Sequence, residues 1–169
     1  MLHNQLKNKK DEWYTPEKAI LPILKYLDEG ATIWCPFDKE FSAYVKILKE
    51  NGFKVIHSHI DDGFDFLTYE PDEHYDYIVS NPPFSIKDDI FTRAFELEKP
   101  FALIMDVTKI FDSRKRWELF SKRDFELIYL SPRVNFIDPE KGQTSGSPFQ
   151  SAYVCSGITD LQINFEKMK

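Results

Sequence analysis

Tyr75-Asp76-Tyr77-Ile78-Val79-Ser80-Asn81-Pro82-Pro83-Phe84 reads as a buried strand that runs straight into a rigid turn. Two consecutive prolines fix φ twice and remove two backbone donors, so the carbonyls of Asn81 and Pro82 are left without local N–H partners. An Asn side-chain oxygen, a Pro carbonyl and an aromatic face at the carboxyl end of a strand suit a planar group that carries an amine. The plainer alternative is an ordinary loop, since Asn-Pro and Pro-Pro are common turn dipeptides.

Outward from this stretch the pattern alternates between strands and helices. Thr15-Pro16 reads as the N-cap and first residue of a helix whose buried face is Ile20, Ile23, Leu24 and Leu27, with Gly30 as its end and a kink or late start at Pro22. Residues 31–35 form a short apolar strand, and Phe41, Tyr44, Val45 and Leu48 mark a second amphipathic helix closed by Asn51-Gly52. A strand over 53–60 completes a βαβ unit, which implies a right-handed crossover in a parallel sheet. The theme repeats as strand 75–80, helix 86–97, strand 101–105, helix 113–121 and strand 125–130. Spacing of this kind predicts an α/β fold with helices on both faces of a mostly parallel sheet. The Gly/Ser/Thr/Pro loop 142–148 lies between strand-like segments 134–137 and 150–156, which suggests an antiparallel C-terminal hairpin. Residues 161–165 alternate as an edge strand does.

With 169 residues, 42% of them hydrophobic and 15% aromatic, the chain has room for one domain with a real core. The expected organisation is an N-terminal arm over 1–12 and a single domain over 13–169. No stretch reaches the length of a membrane span and the first residues are polar, so the expected location is cytoplasmic. Cys35 and Cys155 each sit in an apolar run, where a reduced, buried thiol is the usual state. A net charge of −6 argues against broad electrostatic capture of nucleic acid, though not against local patches. His57 and His59 face the same side of a strand, but without a third ligand at a recognisable spacing no metal site is read.

The Asn81-Pro82-Pro83-Phe84 tetrapeptide, standing after a strand and before a helix, resembles the catalytic motif of the S-adenosylmethionine-dependent adenine-N6 DNA methyltransferases, in particular the phage-type and restriction-modification-type enzymes. Asp11-Glu12-Trp13-Tyr14-Thr15-Pro16 is similar to the N-terminal cofactor motif, Asp65-Phe66 to the acidic-aromatic pair near the cofactor adenine, and 133–154 to the terminal segment of phage-type members. The resemblance implies a Rossmann-like methyltransferase fold that binds S-adenosyl-L-methionine and transfers its methyl group to the N6 amine of a flipped adenine. Asn81 and Pro82 would accept the two amine N–H groups, with Pro83 holding the turn and Phe84 stacking on the base.

The cofactor side of the resemblance implicates Trp13, Tyr14, Thr15, Pro36, Asp38, Ser42, His59, Asp61, Asp65 and Phe66. Many relatives carry glycines in the turn after the first strand; here Cys35-Pro36-Phe37-Asp38-Lys39-Glu40-Phe41-Ser42 has none. Asp38 either takes the methionine ammonium or caps the following helix. Where an acidic residue usually accepts the ribose hydroxyls the chain has His57-Ser58-His59, and either His59 or Asp61 substitutes. Trp13 and Tyr14 flank the cofactor or form a hydrophobic staple.

Arg114, Lys115 and Arg116, followed by Lys122 and Arg123, concentrate positive charge as either a nucleic-acid contact or a solvated helix face. Arg133, Lys141 and the loop 143–147 offer further phosphate donors. With no separate target-recognition domain in view, specificity is loose or comes from a partner or a second copy of the chain. DNA is the expected acceptor. RNA adenine, cytosine N4, a protein glutamine amide and a non-catalytic binding module are the alternatives.

Overall fold

Thr32-Ile33-Trp34-Cys35 is rich in the β-branched and aromatic side chains that suit a pleated surface, and it forms the inner strand β1 (Thr32–Cys35). Its side chains alternate between two cores: Ile33 and Cys35 join Ile20, Ile23, Tyr44 and Leu48 on one face, while Trp34 joins Ile78, Ile90 and Phe91 on the other. A strand buried on both sides needs helices on both sides. The computed structural model describes residues 13–143 and 147–169.

The first face is covered by α1 (Glu17–Ile20), a 3-10 turn Leu21–Tyr26, and α2 (Ala43–Glu50). The second is covered by α3 (Lys87–Glu96) and α4 (Arg114–Phe120). Between them lie β1, β2 (Lys54–His57), β3 (Tyr77–Ser80), β4 (Phe101–Asp106) and β5 (Glu126–Ser131). After these come the short β6 (Ile137–Asp138) and β7 (Gly142–Gln143), then β8 (Ser151–Ser156) and β9 (Ile163–Lys167). The large sheet has the order β2-β1-β3-β4-β8-β5-β9. β8 runs antiparallel to both neighbours and every other pairing is parallel. A parallel sheet with its order reversing at β1/β3 and one antiparallel strand set near its far end is the Rossmann-like methyltransferase fold.

Several local details depart from or refine the expected pattern, the irregularity at Pro22 among those foreseen. Thr15 is not the cap of the first helix: Pro16 takes that position, without a side-chain hydrogen bond. The regular α-helix stops at Ile20 and the chain tightens into the 3-10 turn, because Pro22 has no N–H to give to an α-helical ladder. Phe41 lies ahead of α2 and is 70% exposed, so it is not part of that helix's buried face. An antiparallel hairpin is present late in the chain, but its arms are β6 and β7; residues 151–156 instead insert into the large sheet as β8. β9 is an edge strand, yet it turns Asn164 inward and leaves Ile163 and Phe165 outward, with Phe165 stacked on Tyr129 at 6.0 Å. Asn164 is admitted because its amide donates to the Leu127 and Leu161 carbonyls.

Cys35 and Cys155 are buried and free, and burial pushes both thiols well above their ordinary range. Among the described residues no helix is long and apolar enough to cross a membrane. The expected arm over 1–12 lies outside the described residues.

One buried polar chain ties α1 and α2 to β8. The Tyr153 hydroxyl donates to the Ala19 carbonyl at 3.0 Å and meets the Tyr44 hydroxyl at 3.0 Å. Tyr153→Phe strips a partner from each and should lower unfolding free energy by about 1–3 kcal/mol in urea titrations. An unchanged midpoint would show that the chain contributes nothing to stability.

Candidate functional site

The carboxyl ends of β1, β2 and β3 meet at Asp38. Its backbone N–H donates to the Ser58 carbonyl beyond β2 at 3.1 Å, and its two carboxylate oxygens accept from the Ser42 hydroxyl at the start of α2 and the Ser80 hydroxyl at the end of β3. The Ser80 oxygen also accepts from the Phe37 N–H at 3.3 Å. Asp38 therefore does not cap α2; it joins three strand ends. The carboxyl is 7% exposed, and burial lifts its pKa from 3.8 to about 6 against the lowering pull of the two hydroxyls and His57.

Over this junction lies a cavity of about 390 Å³. Pro36, Asp38 and Ser42 line it from the turn after β1, and His59 and Asp61 from the segment after β2. His59 Nδ1 accepts from the Asp61 N–H at 3.1 Å, and Lys39 reaches Asp61 at 2.7 Å. His57 lies outside the lining, paired with Glu40 at 2.8 Å. Asp65 and Phe66 line a further wall. Asp65 closes an Asx turn by accepting from the Leu67 N–H at 2.9 Å, and Phe66 packs its buried ring on Phe37 and Trp34. Arg93 of α3 braces this loop through the Phe66 and Tyr69 carbonyls.

Trp13, Tyr14 and Thr15 supply the remaining wall. Tyr14 exchanges two backbone hydrogen bonds with Ile137 of β6, at 2.9 and 2.8 Å, so this strap is fastened by a segment from the far end of the sequence. The Trp13 carbonyl accepts from the Asn81 side-chain nitrogen at 2.7 Å. Asn81 and Pro83 line the same cavity, and the Asn81 side-chain oxygen is buried with no hydrogen-bond partner among the described residues.

Pro82 is buried, and Pro83 leads into the 3-10 turn Phe84–Ile86 that starts α3. The Phe84 ring stands edge-on to Phe136 and Phe149 at 5.8 and 5.6 Å. It borders a second, polar cleft of about 350 Å³, together with Lys115 and Arg116. Arg116 is turned inward, donating to Asp88 and to the Ile110 and Lys109 carbonyls. Lys115 pairs with Asp89 at 3.0 Å and Arg114 with Glu118 at 3.0 Å, both largely exposed. Arg133 is exposed and lies away from both cavities, donating to the Ser147 carbonyl. Residues 144–146 of the expected donor loop lie outside the described residues. Among the described residues no three His, Cys, Asp or Glu side chains converge as a metal site.

Phe37, in the turn expected to reach the site, lines the cavity, and so do Lys39, Phe41 and Phe64, which the sequence does not single out as site residues. Phe41 carried a usable signal: an aromatic residue directly after a charged pair, one position ahead of the capping Ser42.

Asp38 sets a pH dependence. Because its folded pKa is raised, the stability it supplies is complete below pH 3.8 and is lost as pH climbs through about 6. Between pH 4 and 7, the stability difference between Asp38→Asn and the parent should shift by roughly 2 kcal/mol towards the amide. Urea unfolding at stepped pH measures it, and a flat difference would mean that burial does not raise this carboxyl.

No protein-family model matches the chain, and no curated protein sequence does. Among solved structures, the chain is similar to a candidate RNA methyltransferase from Pyrococcus horikoshii, with 16% identity and a TM-score of 0.48 over 91% of this chain and 92% of that one. It is also similar to the type I restriction-modification methyltransferase subunit from Streptococcus thermophilus, with 12% identity and a TM-score of 0.49 over 92% of this chain and 47% of that one. The 23S rRNA methyltransferase ErmE shares 15% identity at a TM-score of 0.47, over 85% of this chain and 68% of that one. The assignment of the fold rests on the strand order rather than on these likenesses.

Proposed function

We propose that the protein transfers a methyl group from S-adenosyl-L-methionine to the exocyclic N6 amine of adenine in DNA. The observation that carries this reading is Asn81, which lines one cavity with every residue of the proposed cofactor set and keeps a buried side-chain oxygen with no partner among the described residues. A buried acceptor without a donor costs about 1–3 kcal/mol, and a ligand N–H would recover it.

The residues present fit the methyl donor. A volume of about 390 Å³ falls in the ~300–1,000 Å³ range of small-ligand sites. Asp38 offers a carboxylate to an ammonium, His59 and Asp61 offer acceptors to ribose hydroxyls, and Phe66 with Phe64 offers apolar walls to a purine. Such a donor supplies an electrophilic methyl on a sulfonium. A cation beside Asp38 favours its ionised form, so donor affinity should rise as pH passes about 6.

Adenine's amine is a weak nucleophile because its lone pair is delocalised into the ring. Accepting its N–H groups at the Asn81 oxygen and the Pro82 carbonyl draws charge towards the nitrogen and aims the lone pair, with no covalent enzyme intermediate. Phe84 gives the base an aromatic neighbour once it has left a duplex. Arg114, Lys115 and Arg133 are the proposed phosphate contacts, because exposed pairs worth about 0–1 kcal/mol can be displaced by phosphate. Arg116 serves the cleft by holding Asp88 and the 109–110 backbone.

Labelled donor offered with DNA, RNA and protein tests the reading. Label in DNA adenine is expected, whereas label confined to RNA or protein would move the activity to that acceptor. Asn81→Ala should reduce turnover by about 10²–10³-fold with donor affinity retained. Phe84→Ala should chiefly raise KM for the nucleic acid. No calorimetric binding of donor up to millimolar concentration would point to a non-catalytic module.

A further inference from the structure

We propose that the main-chain carbonyl of Trp13 is a positioning group for this site: it holds the Asn81 amide by its nitrogen and so reserves the amide oxygen for a ligand's hydrogen-bond donor. The inference rests on the proposed methyl transfer and narrows what the site can receive. A carbonyl can only accept, so the Asn81 atom 2.7 Å from it is the nitrogen, and the assignment of the amide follows from its partner. The Asn81 oxygen is then buried, and nothing among the described residues donates to it.

The strap that presents Trp13 does not depend on Asn81 for its place. Tyr14 is fastened to β6 by reciprocal bonds with Ile137 at 2.9 and 2.8 Å. Residues 68 positions apart in sequence thus meet at the catalytic turn because a third segment holds one of them there. The pairing also gives a reason for Asn rather than Asp at position 81. A carboxylate would set one acceptor against another at Trp13. With the amide fixed, Asn81 offers the site an acceptor, and the proposed Pro82 acceptor would complete a pair that suits an –NH₂ group and opposes a ring carbonyl in the same position.

Asn81→Asp is the discriminating variant. When ionised it cannot donate to Trp13; when protonated it donates through its O–H and leaves the other oxygen to accept. At about pH 8 its turnover should be at least about tenfold below the parent, and the ratio of variant to parent should recover at least about fivefold towards about pH 5.5. Glu17, Asp38, Lys39, His59, Asp61 and Asp65 line the same cavity and are present in both proteins, so the ratio isolates the change at position 81. A ratio near one at every pH, or one that does not rise on acidification, overturns the positioning role.

Ile137→Pro removes the N–H that holds the Tyr14 carbonyl. It should lower turnover more than it raises KM, and it should speed hydrogen exchange of the Asn81 side-chain amide, followed by nitrogen-15 NMR. In the parent that amide should exchange at least about tenfold more slowly than a solvent-exposed Asn amide. Free exchange in the parent would overturn the contact itself. A parent protein that binds the donor yet methylates no acceptor would instead overturn the proposed function, and the exchange result would still decide the contact.

Discussion

The buried Asp38 carboxylate is the constraint on which the rest of the site depends. A carboxyl removed from water must be satisfied by fixed donors or give up its charge, and here two serine hydroxyls supply those donors. One stands at the start of α2 and the other at the end of β3, so meeting the needs of one side chain fixes a helix start against a strand end. Ser80 immediately precedes Asn81. The hydroxyl that serves Asp38 therefore also sets where the Asn-Pro-Pro turn leaves the sheet, and the turn after β1 and the turn after β3 cannot shift independently.

The absence of glycine after β1 becomes intelligible in the same terms. Glycine in such a turn supplies either a positive φ or room for a ligand. Among the described residues the only non-glycine positions with positive φ are Glu98 and Lys109, so nothing in 36–42 requires glycine's conformational freedom. Room comes from tying side chains back: Phe37 packs on Phe66, Asp38 turns to the serines, and Lys39 reaches across to Asp61. The turn thus opens a cavity with ordinary residues, provided each has somewhere else to go.

What could be read in advance followed from short-range physics. Strand alternation, helix periodicity and the Asn-Pro-Pro-Phe turn are all encoded within a few residues, and each of these elements lies close to its expected place. The failures share the opposite property. Phe41 satisfies a helical spacing with Tyr44, Val45 and Leu48, but α2 begins two residues later and the ring stays outside. Arg116 looks in sequence like its neighbours Arg114 and Lys115; Asp88 from α3, with the Ile110 and Lys109 carbonyls, holds it inward. Residues 150–156 resemble a hairpin arm, yet the gap between β4 and β5 is where their apolar pattern is buried on both faces. Each residue or segment has a partner remote in sequence: Tyr14 for Phe41, Asp88 for Arg116, and β4 and β5 for residues 151–156.

That remoteness shapes the site. Phe84 owes its ring position to Phe136 and Phe149, and the strap over Asn81 owes its attachment to Ile137. Both supports come from the stretch between β5 and β8, which contributes to the large sheet only through its flanking strands. Placing β8 antiparallel between β4 and β5 carries the connecting segment across the carboxyl ends of the parallel strands, where the cavity opens. The insertion that departs from a simple alternating fold therefore delivers the residues that brace the turn, and a chain with only the βα series would retain Asn81 but lose the contacts that orient it.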